Sequence, residues 1–294
     1  MAGEARSVDH LVLPVGRLDV TRARLTKLGF TVAPDARHPF GTANVCVFLG
    51  DDTYLEMLAV DRRPLYEKAV ARDNSFVKRD WAWRFRNGEE GFAAIAFKTD
   101  DARADHAEFR RQGLSGGRMV AFSRFFAGEG GKREKGSFRL AFAADLRAPD
   151  AFFFCCQRVA YPAADRSHLT AHENGVTALR GIVMASDRPQ DFAAALQDVF
   201  HAPARAESTL AITARNADIE VTPRETFTAR FGWKPAMHGP GLMLGGVVFR
   251  TSSLEALERL FARNGVAFEK RGGRLIVAPA EGQGTLFLFE GSQT

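Results

Sequence analysis

A chain of 294 residues with 46% hydrophobic and 11% aromatic side chains can fill the core of one large domain or two ordinary ones, which excludes a disordered polypeptide. Forty Lys and Arg against 35 Asp and Glu leave a formal charge of +5, spread along the chain with no basic block beyond the KREK of residues 132–135. That balance argues against a nucleic-acid partner, and the sequence offers neither an apolar leader nor a window near the roughly 18 apolar residues of a membrane span.

The expectation is a soluble cytoplasmic protein with no membrane partner. Cys46, Cys155 and Cys156 are odd in number and lie in apolar runs. They read as buried reduced thiols rather than a disulfide framework or a CxxC knuckle.

In chain order, the first unit opens with SVDHLVLPV from Ser7, a strand-length apolar run carrying one histidine, His10. A polar turn and an amphipathic helix follow, ending at Gly29, where a left-handed C-cap needs no Cβ. Two more strand-length runs close the unit, VCVFL from Val45 and YLEMLAV from Tyr54, the second carrying a single glutamate, Glu56. The segment from Arg62 to Phe85 is too long for a tight turn and holds Trp81 and Trp83. It predicts a helix or lid packed over one sheet.

The pattern of strand, turn and helix then returns at Ala94, Gly181 and Gly246. Asp100, Asp187 and Ser252 stand where N-caps are expected, and Gly113 and Gly265 where C-caps are. Leu254, Leu257, Leu260 and Phe261 share one helical face. Between units two and three, Tyr161–Gly175 is polar and punctuated by Pro and Gly, which places a domain boundary near residue 165. The prediction is an α+β chain of four βαβββ modules forming two paired half-barrel domains, residues 1–165 and 166–294. The glycine-containing stretch at 128–132 reads as a hairpin tip, since it lacks the strand-to-helix setting of a phosphate loop.

Four such units, the DHLVL opening at Asp9 and the YLEML strand at Tyr54 resemble the vicinal oxygen chelate superfamily, which includes glyoxalase I, extradiol dioxygenases and bleomycin-resistance proteins. RHPFGTAN from Arg37 followed by GDDTYLEML from Gly50 resembles its glyoxalase-like branch. The resemblance implies one divalent metal between paired sheets, with ligands from the first and last strands of each unit. Carried onto this chain, those positions are His10 and Glu56 in the first unit and Ala94 and Cys155 in the second.

Two completions of the ligand set stand open. His38 gives two histidines and a carboxylate with His10 and Glu56, a set suited to Fe, Mn, Zn or Ni. Cys155 as a thiolate favours zinc. A third reading is a His10–Glu56 pair with no metal. In the second pair of units Gly181 and Gly246 occupy the histidine positions, leaving Glu220 and either Leu288 or Glu290. The four-unit dioxygenases of this length hold iron there, so the resemblance does not extend to their site.

The phenylalanine-rich strands of unit two send alternate side chains toward the cavity. Phe122, Arg124, Phe154, Cys155 and Arg158 form the expected substrate pocket, with either arginine able to hold a carboxylate. The expected function is a glyoxalase-like protein acting on a small, partly apolar molecule, as a metal-dependent lyase, isomerase or oxygenase with Glu56 as the proton-handling group. The alternative is a metal-free small-molecule sequestration protein of the bleomycin-resistance type. The fold leaves room for a homodimer.

Overall fold

The structure is a computed structural model, and it describes residues 4–127, 133–160 and 167–292. The hairpin tip expected at 128–132 and the boundary near residue 165 lie outside the described residues.

The first unit runs β1 (Val8–Pro14), α1 (Leu18–Lys27), β2 (Ala36–Arg37), β3 (Thr42–Phe48) and β4 (Tyr54–Val60). Two helices follow, α2 (Arg63–Ala71) and α3 (Ser75–Asn87). The second unit is β5 (Ala94–Thr99), α4 (Ala102–Arg111), β6 (Val120–Ala127), β7 (Arg133–Ala143) and β8 (Phe152–Ala160). A single turn, α5 (Ser167–Thr170), leads to the third unit: β9 (Val176–Ser186), a 3₁₀ turn at Pro189–Phe192, α6 (Ala193–Phe200), β10 (Ala204–Ala206), β11 (Leu210–Thr213) and β12 (Asp218–Pro223). After α7 (Arg224–Phe231) comes the fourth: β13 (Leu242–Thr251), α8 (Leu254–Arg263), β14 (Glu269–Arg271), β15 (Arg274–Val277) and β16 (Leu286–Gly291).

Units one and two share one eight-stranded sheet, β2-β3-β4-β1-β5-β8-β7-β6, and units three and four share a second, β10-β11-β12-β9-β13-β16-β15-β14. Within a unit the outer strands are antiparallel, but β1 runs parallel to β4 and β5 parallel to β8. The central β1–β5 pair is antiparallel, and this pairing fuses two units into one sheet. The expected α+β architecture of four modules in two pairs is therefore the observed one, with each pair continuous rather than two separate sheets.

Local signals explain the helices, with two caps falling one residue later than the sequence suggested. Asp101 caps α4 by accepting from the N–H groups of Arg103 and Ala104, and Ser253 caps α8 by accepting from Ala256 N–H. In the third unit Ser186 Oγ accepts from Arg188 N–H, while Asp187 instead pairs with Arg224 at 2.8 Å. Gly29, Gly113 and Gly265 all take positive φ as C-caps require.

The two sheets are not independent. One hydrophobic core runs between them, joining Leu11, Met57 and Phe153 of the first to Leu179, Phe249 and Phe289 of the second. Phe97 meets Phe200 edge-on at 4.9 Å, and Phe30 lies 5.4 Å from Phe249. The segment read as a connector is itself anchored: His172 Nδ1 accepts from Thr31 N–H, its Nε2–H donates to Phe48 O, and Asn174 donates to Leu28 O. Among the described residues no helix is long and apolar enough to cross a membrane.

The opposite face of the first sheet is covered by two inserted helices and that of the second by one. On the first sheet, Tyr66 and Ala69 of α2 and Phe76, Val77 and Trp83 of α3 pack onto Leu58, Phe138, Phe142 and Phe154, so the lid expected over 62–85 is present. Its far end is fixed by Asp150, whose carboxylate accepts from Arg86 at 2.6 and 3.0 Å and from Asn87 at 2.9 Å. Burial opposes the Asp150 charge, but these donors outweigh it and hold the carboxyl below its ordinary 3.8. A carboxyl with a lowered folded pKa stabilises the fold above its unfolded value, and that contribution is lost as pH falls through the folded one. Asp150→Asn should therefore flatten the acid limb of the stability profile below about pH 4. Urea unfolding at stepped pH checks this; parallel wild-type and variant profiles would contradict it.

Candidate functional site

The site forms on the lid face of the first sheet, where alternation along β1 and β4 divides core from site. Leu11, Leu13, Leu55 and Met57 enter the shared core, whereas His10 and Glu56 face the lid. The register places His10 beside Tyr54, and their rings stack at 4.5 Å. Glu56 is the next lid-face residue after Tyr54.

A β-bulge between Val8 and His10 adds Asp9 to the site. Regular alternation would send adjacent residues to opposite faces, which is why the sequence pointed to His10 alone. Here His10 Nδ1–H donates to Asp9 Oδ2 at 2.7 Å, and Arg158 donates to both Asp9 oxygens, at 2.7 and 3.0 Å. Burial works against the Asp9 charge, and His10 and Arg158 together hold its carboxyl low. The bond to Asp9 sets His10 as the Nδ1–H tautomer in its neutral form and leaves Nε2 facing Glu56 Oε2 at 3.5 Å.

His38 arrives from the tight turn between β2 and β3. Its backbone N–H donates to Thr42 O, and Gly41 completes the turn with φ 93°. A Cβ on Gly41 would lie 2.5 Å from the backbone nitrogen of Tyr66 in α2, so only glycine lets the turn sit against the lid. His38 Nδ1 is 2.9 Å from Thr42 Oγ1, and Nε2 faces Glu56 Oε1 at 3.5 Å. Burial, then the neighbouring Arg124, pushes His38 down to about 3 against the pull of Glu56, so the imidazole is neutral at ordinary pH. Glu56 goes the other way. Burial disfavours its charge, but His38, His10, Arg124 and the Asn44 amide hold the carboxyl below its usual range.

Asn44, on β3, donates through Nδ2 to Glu56 Oε1, while its own Oδ1 is buried with no hydrogen-bond partner. The sequence reading did not single out Asn44, Thr42 or Asp9. The GTAN and DH dipeptide contexts held them, but only the register and the bulge show that they face the site.

The expected pocket residues divide. Phe154 meets His10 edge-on at 5.4 Å and Phe122 meets His38 edge-on at 5.7 Å, while Arg124 Nη1 stands 3.3 Å from His38 Nε2. Arg158 reaches His10 through Asp9. Cys155 lies on the other face of the sheet, in the shared core, where Arg6 Nη1 is 3.1 Å from its sulfur. Cys156 takes the lid-face position instead. Burial raises both thiols, which keeps them protonated and poor as ligands or nucleophiles.

Two imidazole nitrogens, an ionised carboxylate and an orphaned amide oxygen make a donor set suited to a divalent cation. Ligands bonded to one such ion at about 2.1 Å stand roughly 3.0–3.4 Å apart, near the 3.5 Å separations found here. His10 and His38 address different oxygens of Glu56, however, and among the described residues no group of three or more His, Cys, Asp or Glu side chains converges in coordinating geometry. The residue types fit a metal, and the atoms as placed do not enclose one.

On the second sheet, the corresponding space is filled. Phe227 and Phe231 of α7 pack onto Val183, Val248 and Leu288, and Glu220 is paired with Arg230. Gly245 makes room for the Phe227 ring, which lies 2.5 Å from where its Cβ would stand.

Comparison with solved structures finds the same fold at low identity. A hypothetical protein from Staphylococcus aureus is 13% identical with a TM-score of 0.65, covering 97% of this chain and 98% of its own. A mutant 4-hydroxymandelate synthase from Streptomyces coelicolor is 14% identical with a TM-score of 0.59, covering 98% and 92%. The Mn(II)-bound glyoxalase from Novosphingobium aromaticivorans is 12% identical with a TM-score of 0.57, covering 99% and 83%. No curated protein matches the chain. The sequence model of the glyoxalase-like domain matches residues 8–200, a span that takes in the whole first sheet and its lid, and the chain belongs to that family, within the vicinal oxygen chelate superfamily.

Proposed function

We propose that this protein is an enzyme acting on a small, partly apolar molecule at the lid face of the first sheet, with His10, His38 and Glu56 holding a divalent metal. One observation carries the reading. Two Nε2 atoms whose rings are anchored through Nδ1 both face a single buried, ionised carboxylate at 3.5 Å, beyond hydrogen-bond range. In their Nδ1–H tautomers these nitrogens turn lone pairs toward carboxylate lone pairs, an arrangement that a cation relieves. The Asp9–His10 bond is the carboxylate partner that metal-binding histidines commonly have.

When bound there, a divalent ion supplies positive charge that polarises substrate oxygens. The chain's own groups do the rest. Glu56, ionised and desolvated, accepts a proton from the substrate atom next to the polarised oxygen. Asp9 and Arg158 fix the orientation of His10. Phe122 and Phe154 exclude water, and Arg124 orients an anionic substrate group. Solved structures of a Mn(II)-bound glyoxalase and a 4-hydroxymandelate synthase share the fold, which supports an enzymatic reading.

Arg124 favours a second reading, since a guanidinium 3.3 Å from His38 Nε2 already supplies positive charge. On that reading the site is metal-free and binds its ligand without turnover. Chelator-stripped protein reloaded with Mn(II), Zn(II), Fe(II) or Ni(II) decides between them. We expect one ion per chain in the wild type and less than about a tenth as much in His10→Ala or His38→Ala. Equal, substoichiometric metal in all three would overturn the metal and leave the binding protein.

A further inference from the structure

We infer that the cleft between α2 and the start of β6 is the docking site for the anionic head of an amphiphilic small molecule. Its volume is about 440 Å³, and its wall combines Phe40, Leu65 and Val120 with three cations, Lys68, Arg72 and Arg118. Small-molecule sites run from about 300 to 1,000 Å³, so the cleft suits a metabolite-sized organic anion rather than a macromolecule.

The cations come from two separate elements. Lys68 and Arg72 lie in the last turn and C-cap of α2, where basic residues also favour the helix dipole. Arg118 lies outside that helix, just before β6, and converges on the same cleft. None of the three side chains makes a hydrogen bond or salt bridge among the described residues, and all three are exposed. The cleft's one carboxylate, Asp73, is already paired with Lys78 at 2.5 Å. Asp73 also feels Arg118, but three cations against this one shared carboxylate leave the cleft with a net positive field.

The apolar wall connects this cleft to the site. Phe40 lines the cleft and stacks on His38, ring centroids 5.0 Å apart, and it meets Phe122 edge-on at 5.2 Å. A ligand with its anion between the three cations would lay its apolar body on Phe40, one ring's thickness from His38. The inference rests on the proposed function for the statement that this ligand is the substrate, and it adds the substrate class: an organic anion with an apolar body.

Fluorescence titration of the full chain tests it with two probes, 1-anilinonaphthalene-8-sulfonate and N-phenyl-1-naphthylamine, which carries the same aromatic body without the sulfonate. The sulfonate probe should bind once per chain and more tightly than the neutral one, and Lys68→Glu and Arg118→Glu should each weaken it about fivefold. Neutral-probe affinity should change less than about twofold, because its apolar contacts are untouched. Equal affinity for the two probes, or sulfonate binding unaltered in both variants, overturns the inference. The probes need no metal and no turnover, so the cleft can fail while His10→Ala still abolishes metal uptake, and the reverse result is equally readable.

Discussion

Arg84→Ala should cost about 3–5 kcal/mol of stability, the range for removing one partner of a buried ion pair. Arg84, on α3, has a side chain only 6% exposed, and its Nε donates to Asp80 Oδ2 at 3.0 Å. Its Nη2 donates to Leu58 O at 2.7 Å and its Nη1 to both Glu89 O and Glu89 Oε2 at 2.9 Å. Burial works against the guanidinium charge, but Asp80 outweighs it and holds Arg84 above its ordinary value. Asp80 also accepts from Tyr66 OH at 2.6 Å, which links α2 to the same group. Alanine leaves Asp80 buried without its counter-charge and takes from Leu58 O one of its two donors, the other being Val15 N–H. Tyr66→Phe removes one neutral donor and should cost about 1 kcal/mol. Replacing both charges, as Arg84→Met with Asp80→Leu, should recover most of the loss, because no charge is then stranded. Urea unfolding of the set measures these differences. A loss below about 1 kcal/mol for Arg84→Ala would mean that apolar packing alone seats the lid.

That clasp belongs to what the sequence did not show. The four-unit repeat was legible because each unit restates the same order of apolar strand, polar turn and glycine-capped helix, and these are local signals. The lid could be placed by its length and its tryptophans, since a segment of that size must bury something. Its attachment could not, because Asp80 and Arg84 pair across one turn of α3 but reach Tyr66 and Leu58 only through the tertiary fold. His10 and Glu56 were nameable as single polar residues in apolar strands, and His38 as one completion of the ligand set that the family resemblance implies. Asp9 was hidden by the bulge, because alternation assigns adjacent residues to opposite faces. The choice between Cys155 and Cys156 was hidden for a related reason: a one-residue shift in the register of β8 exchanges the two faces of the strand. The continuous core between the sheets also escaped, since a polar, Pro- and Gly-punctuated connector reads alike whether its histidine hangs free or, as His172 does, bonds the preceding half.

Glu56→Gln should eliminate metal-dependent stabilisation and also weaken the metal-free fold, and the two losses can be measured separately. In the metal-free protein the Glu56 carboxylate stands near Arg124 and accepts from the Asn44 amide, both of which favour its charge. Glutamine keeps the shape but leaves Arg124 without that anion in a mostly apolar surrounding, at an expected cost of about 1–3 kcal/mol in the presence of chelator. Glu56→Asp keeps the charge but withdraws the carboxylate by one methylene, so it should cost less without metal and yet still lose most of the metal response. For the wild type, an ion at one hundred times its dissociation constant adds about 2.7 kcal/mol. Glu56→Gln should add none at the same concentration, because an amide replaces the only anionic donor and the histidines alone do not outcompete water for a hard cation. Unfolding curves with chelator and with Mn(II) or Zn(II), taken on all three proteins, yield both quantities. A Glu56→Gln protein that keeps the full metal increment would place the ion elsewhere and remove Glu56 from its coordination. One that loses stability in chelator alone, with no increment in the wild type either, would make Glu56 the anion that pairs with Arg124 in a metal-free binding site.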